Sequence, residues 1–184
     1  MESYVRGFAR RRADVYTTIL RLAHLAGPTA DTALTRHLKL PAVLTVLGFD
    51  PRLQFLHVDD AVDVLTRTSE TAAPDRGTPG SGGSTGRPGR SRERGRPVVY
   101  NVAGEGTIFL SQAIRRLGRP QVPVPSPLLP WVRFLVGKGG ELPPISELTY
   151  GRIADTTRMR TELGFKPRYS TAAALATMAG GRDA

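Results

Sequence analysis

The sequence predicts an α/β chain with parallel strands. Three observations carry this. Short runs rich in β-branched and aromatic residues recur: "VYTTILRL" (15–22), "LQFLHV" (53–58) and "PVVYNV" (97–102). Between and after them lie segments with helical apolar spacing. Strands alternating with helices favour a parallel sheet.

Each element has a local reason. Glu2 to Arg12 reads as a helix with Tyr4, Val5, Phe8 and Ala9 on one face. "VYTTILRL" follows as a buried strand and "AGPTADT" as a turn or loop. Leu53 to Val58 is the next strand, and Asp59 or Asp60 caps a helix through Arg67 with Ala61, Val62 and Leu65 inward. After Val102, Ser111 is the expected N-cap of a helix from Gln112 to Leu117, with Gly118 as its stop. Leu128, Leu129, Val132, Leu135 and Val136 share one face of an amphipathic helix with Pro127 and Pro130 near its start. Asp155 caps a helix over 156–163 ended by Gly164, and Ser170 caps a last one over 171–178.

The stretch Ser69 to Pro97 is Gly, Pro, Ser and Arg with almost nothing to bury. Such a segment cannot recover its ordering entropy, so it reads as a disordered surface loop. It divides the chain into 1–68, 69–97 and 98–184. Loop closure costs little, so one domain tolerates it.

Composition narrows the function. The 184 residues contain no cysteine, which excludes disulfides and thiolate metal sites and suits a reducing compartment. No run approaches the ~18 apolar residues of a membrane span, and the first residues lack the apolar core of a secretory signal. A soluble cytoplasmic protein without membrane contact is expected. The net charge of +10 raises nucleic-acid binding. Its arginines gather in "RGFARRR" and "RPGRSRERGRP", outside any helix-turn-helix, zinc-finger or aromatic RNA-binding pattern, so a solvated surface is the better reading. A basic nucleic-acid-binding module is the minority class.

The segments "TILRLAHLAGP", "LQFLHVDDAVDVL", "VVYNVAGEGTIFLSQAIRRLG" and "YGRIADTTRMRTELGFKPRYSTAAAL" stand in a familiar order. Together they resemble the extended short-chain dehydrogenase/reductases, the NAD-dependent epimerase/dehydratase group, most of all actinobacterial UDP-glucose 4-epimerase-like proteins. The resemblance covers that family's C-terminal, substrate-side half and implies part of an extended Rossmann-type fold. It implies NAD as cofactor and a sugar-type substrate oxidised and reduced through a keto intermediate.

Two family features have no match. The Gly-x-x-Gly-x-x-Gly turn that brings a pyrophosphate to a helix N-terminus is missing. "GSGGSTG" follows no strand and opens no helix, so it reads as linker. The Tyr-x-x-x-Lys pair is missing too: Tyr4, Tyr16, Tyr100, Tyr150 and Tyr169 are followed four residues on by Phe8, Leu20, Gly104, Ala154 and Ala173. The helix from Glu2 reads as the continuation of the one that carries this pair. The chain is therefore expected to lack the N-terminal cofactor-binding half and to be inactive alone, as a truncated or split enzyme completed by a Rossmann-bearing chain. The alternative is a non-catalytic binding or scaffold protein that keeps the fold.

The resemblance implies cofactor contacts at Ala23 and His24, where His24 replaces the usual Asn of "LRxxNxxGP". It implies substrate contacts at His24, Arg52 and Arg152. The family's diphosphate arginine falls on Leu53, and Arg52 beside it points to the other strand face. No arginine lies between Arg133 and Arg152, so the second family arginine is also unmatched. His57 and Asp60 read as a strand-to-helix junction, with Asp60 as a helix cap. No catalytic residue is assigned. No metal site is expected, because a His and two adjacent acids at a strand end do not form one ligand face.

Overall fold

A computed structural model describes residues 1–72, 96–131 and 142–179. The chain forms two compact units that interleave along the sequence. One comprises Met1–Arg21, Val62–Val102 and Asp155–Lys166; the other comprises Leu22–Ala61, Ala103–Ala154 and Pro167–Ala184. The sequence reading instead divides the chain serially at 69–97, and 73–95 of that stretch lie outside the described residues.

In the first unit, α1 (Glu2–Arg11) has an acid in its first turn and Arg10 and Arg11 in its last, matching the helix dipole. Its buried stripe is narrower than predicted: Ala9 is 1% exposed, but Tyr4 is 73%. β1 (Thr18–Leu22) starts later than expected. Arg12 and Asp14 close a turn, and Val15 N–H donates to the Arg12 carbonyl, which holds Val15 and Tyr16 off the strand. β1 is not fully buried either, since among the described residues it pairs only with β6 (Val98–Val102). Arg21 ties the strand to α1 through two bonds to Glu2, at 2.6 and 2.7 Å.

α3 (Val58–Ala72) is longer than predicted and takes Ser69 into the helix, where its hydroxyl donates to the Thr66 carbonyl. Its buried positions are Asp60, Ala61, Val64 and Thr68, while the expected Val62 and Leu65 face solvent. The Thr68 hydroxyl donates back to the Val64 carbonyl at 2.6 Å, so a polar residue serves on the inner face. α6 (Thr157–Thr161) packs on β6. The N-cap is Thr156, and the Asp155 carboxylate one position earlier accepts from the Thr157 N–H and hydroxyl; the helix ends at Thr161, and Gly164 takes φ 64° beyond it.

The second unit is built from strand pairs. β2 (His24–Ala26) runs parallel to β5 (Phe55–His57), with His24 opposite Phe55 and Ala26 opposite His57. β3 (Val43–Val46) runs parallel to β8 (Gln121–Val124). β4 (Arg52–Leu53) is antiparallel to β7 (Ile108–Phe109). The strand expected over 53–58 is thus broken at Gln54, and Val58 already belongs to α3.

α2 (Ala33–Lys39) opens with a reciprocal Thr32–Thr35 capping box. It places Leu34 and Leu38 in a core with Val43, Phe55, Ile114 and Leu175. α4 (Leu110–Arg116) starts one residue before Ser111. Ser111 is therefore not the cap: its N–H and hydroxyl both donate to the Asp50 carboxylate, which caps the helix from 61 residues away. Gly118 stops the helix at φ 64°. α5 (Ile145–Tyr150) and α7 (Thr171–Ala176) complete the unit, and Ser170 caps α7 by accepting from Ala173 N–H. Of the amphipathic helix expected from Leu128, positions 132–141 lie outside the described residues; Leu129 is buried and Leu128 exposed. No helix among the described residues is long and apolar enough to cross a membrane.

Candidate functional site

The candidate ligand residues lie in the second unit, and Gln54 organises them. Its side chain is 6% exposed. Its amide nitrogen donates to the Gly104 carbonyl and its oxygen accepts from Ala154 N–H, both at 3.0 Å. The break between β4 and β5 is therefore a pin that draws 104 and 154 to one place. Beside it, Arg152 N–H donates to the Arg52 carbonyl at 3.3 Å, and Leu53 bridges to Arg152. Gly151, at φ 67°, permits this approach: a Cβ there would run into the Arg52 carbonyl.

The pin brings the two predicted arginines together along their backbones. The Arg52 guanidinium lies 5.0 Å over the Phe109 ring. Arg52 itself is exposed while Leu53 is buried, as strand alternation requires. The Arg152 guanidinium is 71% exposed and stands 3.8 Å from the Glu147 carboxylate. Its partner Glu147 is only 16% exposed, so the pair is half in solvent.

His24 opens β2, with Ala23 half-buried just before it. Its ring tilts on Phe55 at 6.2 Å, and its Nε2 is buried without a hydrogen-bond partner among the described residues. Burial pushes the imidazole below its ordinary value; the nearby Glu147 carboxylate opposes this and Arg152 adds to it. A neutral imidazole can donate from one nitrogen and accept at the other. His24, Glu147 and Arg152 thus form one electrostatic group. Glu147 was not singled out from the sequence, because nothing local in "ISELTY" marks it.

The junction at 57–60 is structural, by a different route from the one predicted. His57 is 3% exposed and stacks on Tyr169 at 3.9 Å. Its Nδ1 accepts from Asp59 N–H at 3.2 Å. Asp60 is not a cap. It is already inside α3, fully buried, and its two carboxylate oxygens accept from the backbone N–H groups of Arg168 and Tyr169, at 2.9 and 3.0 Å. The carboxylate clamps the entry to α7 instead of its own helix end.

No group of three or more His, Cys, Asp or Glu residues among the described residues could hold a metal. Two places in the second unit are closed to a dinucleotide phosphate. The turn from β5 into α3 carries Asp59 and Asp60, whose charges oppose a phosphate. Gly104 is closed off, since a Cβ there would lie 2.6 Å from the Phe55 carbonyl oxygen.

No family model matches the chain. Uncharacterized proteins of Mycobacterium tuberculosis (strain ATCC 25618 / H37Rv) and Mycobacterium bovis are each 38% identical over 176 residues, covering 93% of this chain and 40% of theirs. Among solved structures, UDP-glucose 4-epimerase from Thermotoga maritima with UDP-glucose aligns with a TM-score of 0.58 at 18% identity, over 98% of this chain and 50% of that one. UDP-glucose 4-epimerase from Bifidobacterium longum, in complex with NAD+ and UDP, aligns with a TM-score of 0.62 at 13% identity, over 98% and 51%. The fold of the chain is similar to about half of each of these structures. At these identities the likeness establishes the α/β fold with parallel strands and nothing finer. The chain spans about half the length of these structures and 40% of its curated relatives.

Proposed function

We propose that the chain supplies the substrate side of an NAD-dependent nucleotide-sugar epimerase or dehydratase and works together with a cofactor-binding half. The observation that carries this is the alignment of nearly the whole chain onto about half of UDP-sugar epimerases. In this reading Arg52 and Arg152 present guanidinium groups to the diphosphate of the sugar nucleotide. Ala23 and His24 border the place where sugar and nicotinamide meet, and neutral His24 offers a hydrogen bond without adding charge.

NAD would supply the hydride acceptor, held by the complementary half. The glycine turn and Tyr-x-x-x-Lys pair are absent from this sequence. A positioned acid/base contributes roughly 10² to 10⁴ in rate, and without the dinucleotide site there is no hydride carrier at all. The test incubates the chain with NAD and UDP-sugars, following nicotinamide absorbance and product, with calorimetry for NAD. The expected result is no turnover and no NAD binding by this chain alone. Saturable NAD binding with turnover would overturn the assignment of roles.

A further inference from the structure

Main-chain contacts put Arg152 in place. Its N–H donates to the Arg52 carbonyl at 3.3 Å, and Leu53 bridges to it. Two residues on, Ala154 N–H is held by the Gln54 side chain at 3.0 Å. Glu147 is fixed separately, in the first turn of α5, with its N–H donating to the Pro144 carbonyl at 2.9 Å. The two side chains meet at 3.8 Å, beyond hydrogen-bond length. The carboxylate therefore does not orient the guanidinium. It lowers the positive potential there. Because Glu147 is only 16% exposed, water and salt screen its charge less than on an open surface. The same charge reaches His24: burial holds that imidazole below its ordinary value, Glu147 opposes this, and Arg152 adds to it.

We propose that Glu147 is a built-in counter-anion for Arg152, so that an anionic ligand gains the guanidinium only in competition with this carboxylate. The inference rests on the reading above, in which Arg152 meets the diphosphate of a sugar nucleotide. The ligand class it selects is a multiply charged phosphate. Separating Arg152 from Glu147 costs the same for every ligand, while the attraction to Arg152 grows with ligand charge. A diphosphate overcomes that cost and a single carboxylate does not, which makes Glu147 the repulsive element against weaker anions. A purely structural Glu147, stabilised in the first turn of α5 by the helix dipole, would affect folding and leave anion affinity alone.

Calorimetry of the full chain with inorganic pyrophosphate and with acetate tests this. The wild type is expected to bind pyrophosphate and not acetate. Glu147→Gln should tighten pyrophosphate binding about three- to tenfold, the scale of a lost partly buried ion-pair partner. Glu147→Asp keeps the charge and should not tighten it. Arg152→Met should weaken binding about tenfold or more, and adding Glu147→Gln to it should bring little of the gain. In Glu147→Gln the NMR titration of His24 should move to lower pH, a change that a structural role does not predict. Unchanged or weaker pyrophosphate binding in Glu147→Gln overturns the proposal. So does the full gain without Arg152, acetate bound as tightly as pyrophosphate, or no pyrophosphate binding in any variant. UDP-glucose separates the two readings. If it binds no tighter than pyrophosphate while the Glu147 effects stand, the sugar-nucleotide reading falls and the counter-anion remains.

Discussion

Replacing Asp60 separates two physical roles for one carboxylate. As a helix N-cap it would lose about 1 kcal/mol on changing to Ala and almost nothing on changing to Asn, because Asn caps as well as Asp. As the observed clamp, it receives two backbone N–H groups, at 2.9 and 3.0 Å, on a side chain with 0% exposure. Hydrogen bonds to a charged group are worth about 1.5–3 kcal/mol each. Asp60→Ala should therefore cost about 3 kcal/mol or more, a drop of about 6–12 °C in thermal midpoint for a chain of this size. Asp60→Asn keeps one acceptor and turns an amide NH2 toward the other N–H, so it should cost about 2–3 kcal/mol instead of nothing. Urea denaturation of the three proteins measures both values, and hydrogen exchange at Arg168 and Tyr169 shows where the loss falls. A near-native Asp60→Asn with a loss of about 1 kcal/mol in Asp60→Ala would refute the clamp and restore the cap.

Other consequences follow from the same geometry. Gly104→Ala should destabilise by about 1–3 kcal/mol by overpacking, since its Cβ would meet the Phe55 and Tyr169 carbonyl oxygens at 2.6 and 3.0 Å; thermal unfolding would show it. Burial lowers the His24 pKa, so the unfolded chain takes up its proton first as pH falls; stability from this site is present above about 6.5 and lost below it. His24→Asn should flatten that part of the pH dependence in urea midpoints, and an unchanged slope would refute the assignment. Hydrogen bonds from Thr157 lower the Asp155 pKa, so its contribution is present above the ordinary 3.8 and fades as pH falls through the folded value. Asp155→Ala should remove this acid-side loss, and amides at the start of α6 should exchange faster.

Much of the local structure was legible before the fold was seen. α1, α7 and β6 stand close to where their periodicity and caps put them, and Gly118 follows the end of α4 with a positive φ that a side chain disfavours. The short elements of the second unit were not legible. β2, β3, β8 and α2 have too few residues for a periodic signal, and their partners lie far along the chain. Hydropathy favours Val62 and Leu65 for the inward face of α3, yet both face solvent. The buried positions use Thr68, whose hydroxyl is satisfied within the helix, and Asp60, whose charge is satisfied from 108 residues away.

The sequence by itself determined the α/β class, because residue type and spacing carry it; its resemblance to the epimerase/dehydratase group implied the candidacy of Ala23, His24, Arg52 and Arg152 and exposed the missing glycine turn and Tyr-x-x-x-Lys pair. Only the tertiary structure decided where the acids and their partners lie. Asp60 became a clamp, Asp50 replaced Ser111 in capping α4, and Glu147 joined His24 and Arg152. The physical reason is the same in each case. A buried or capping polar group must find a partner, and the nearest one in space is set by packing and not by distance along the chain.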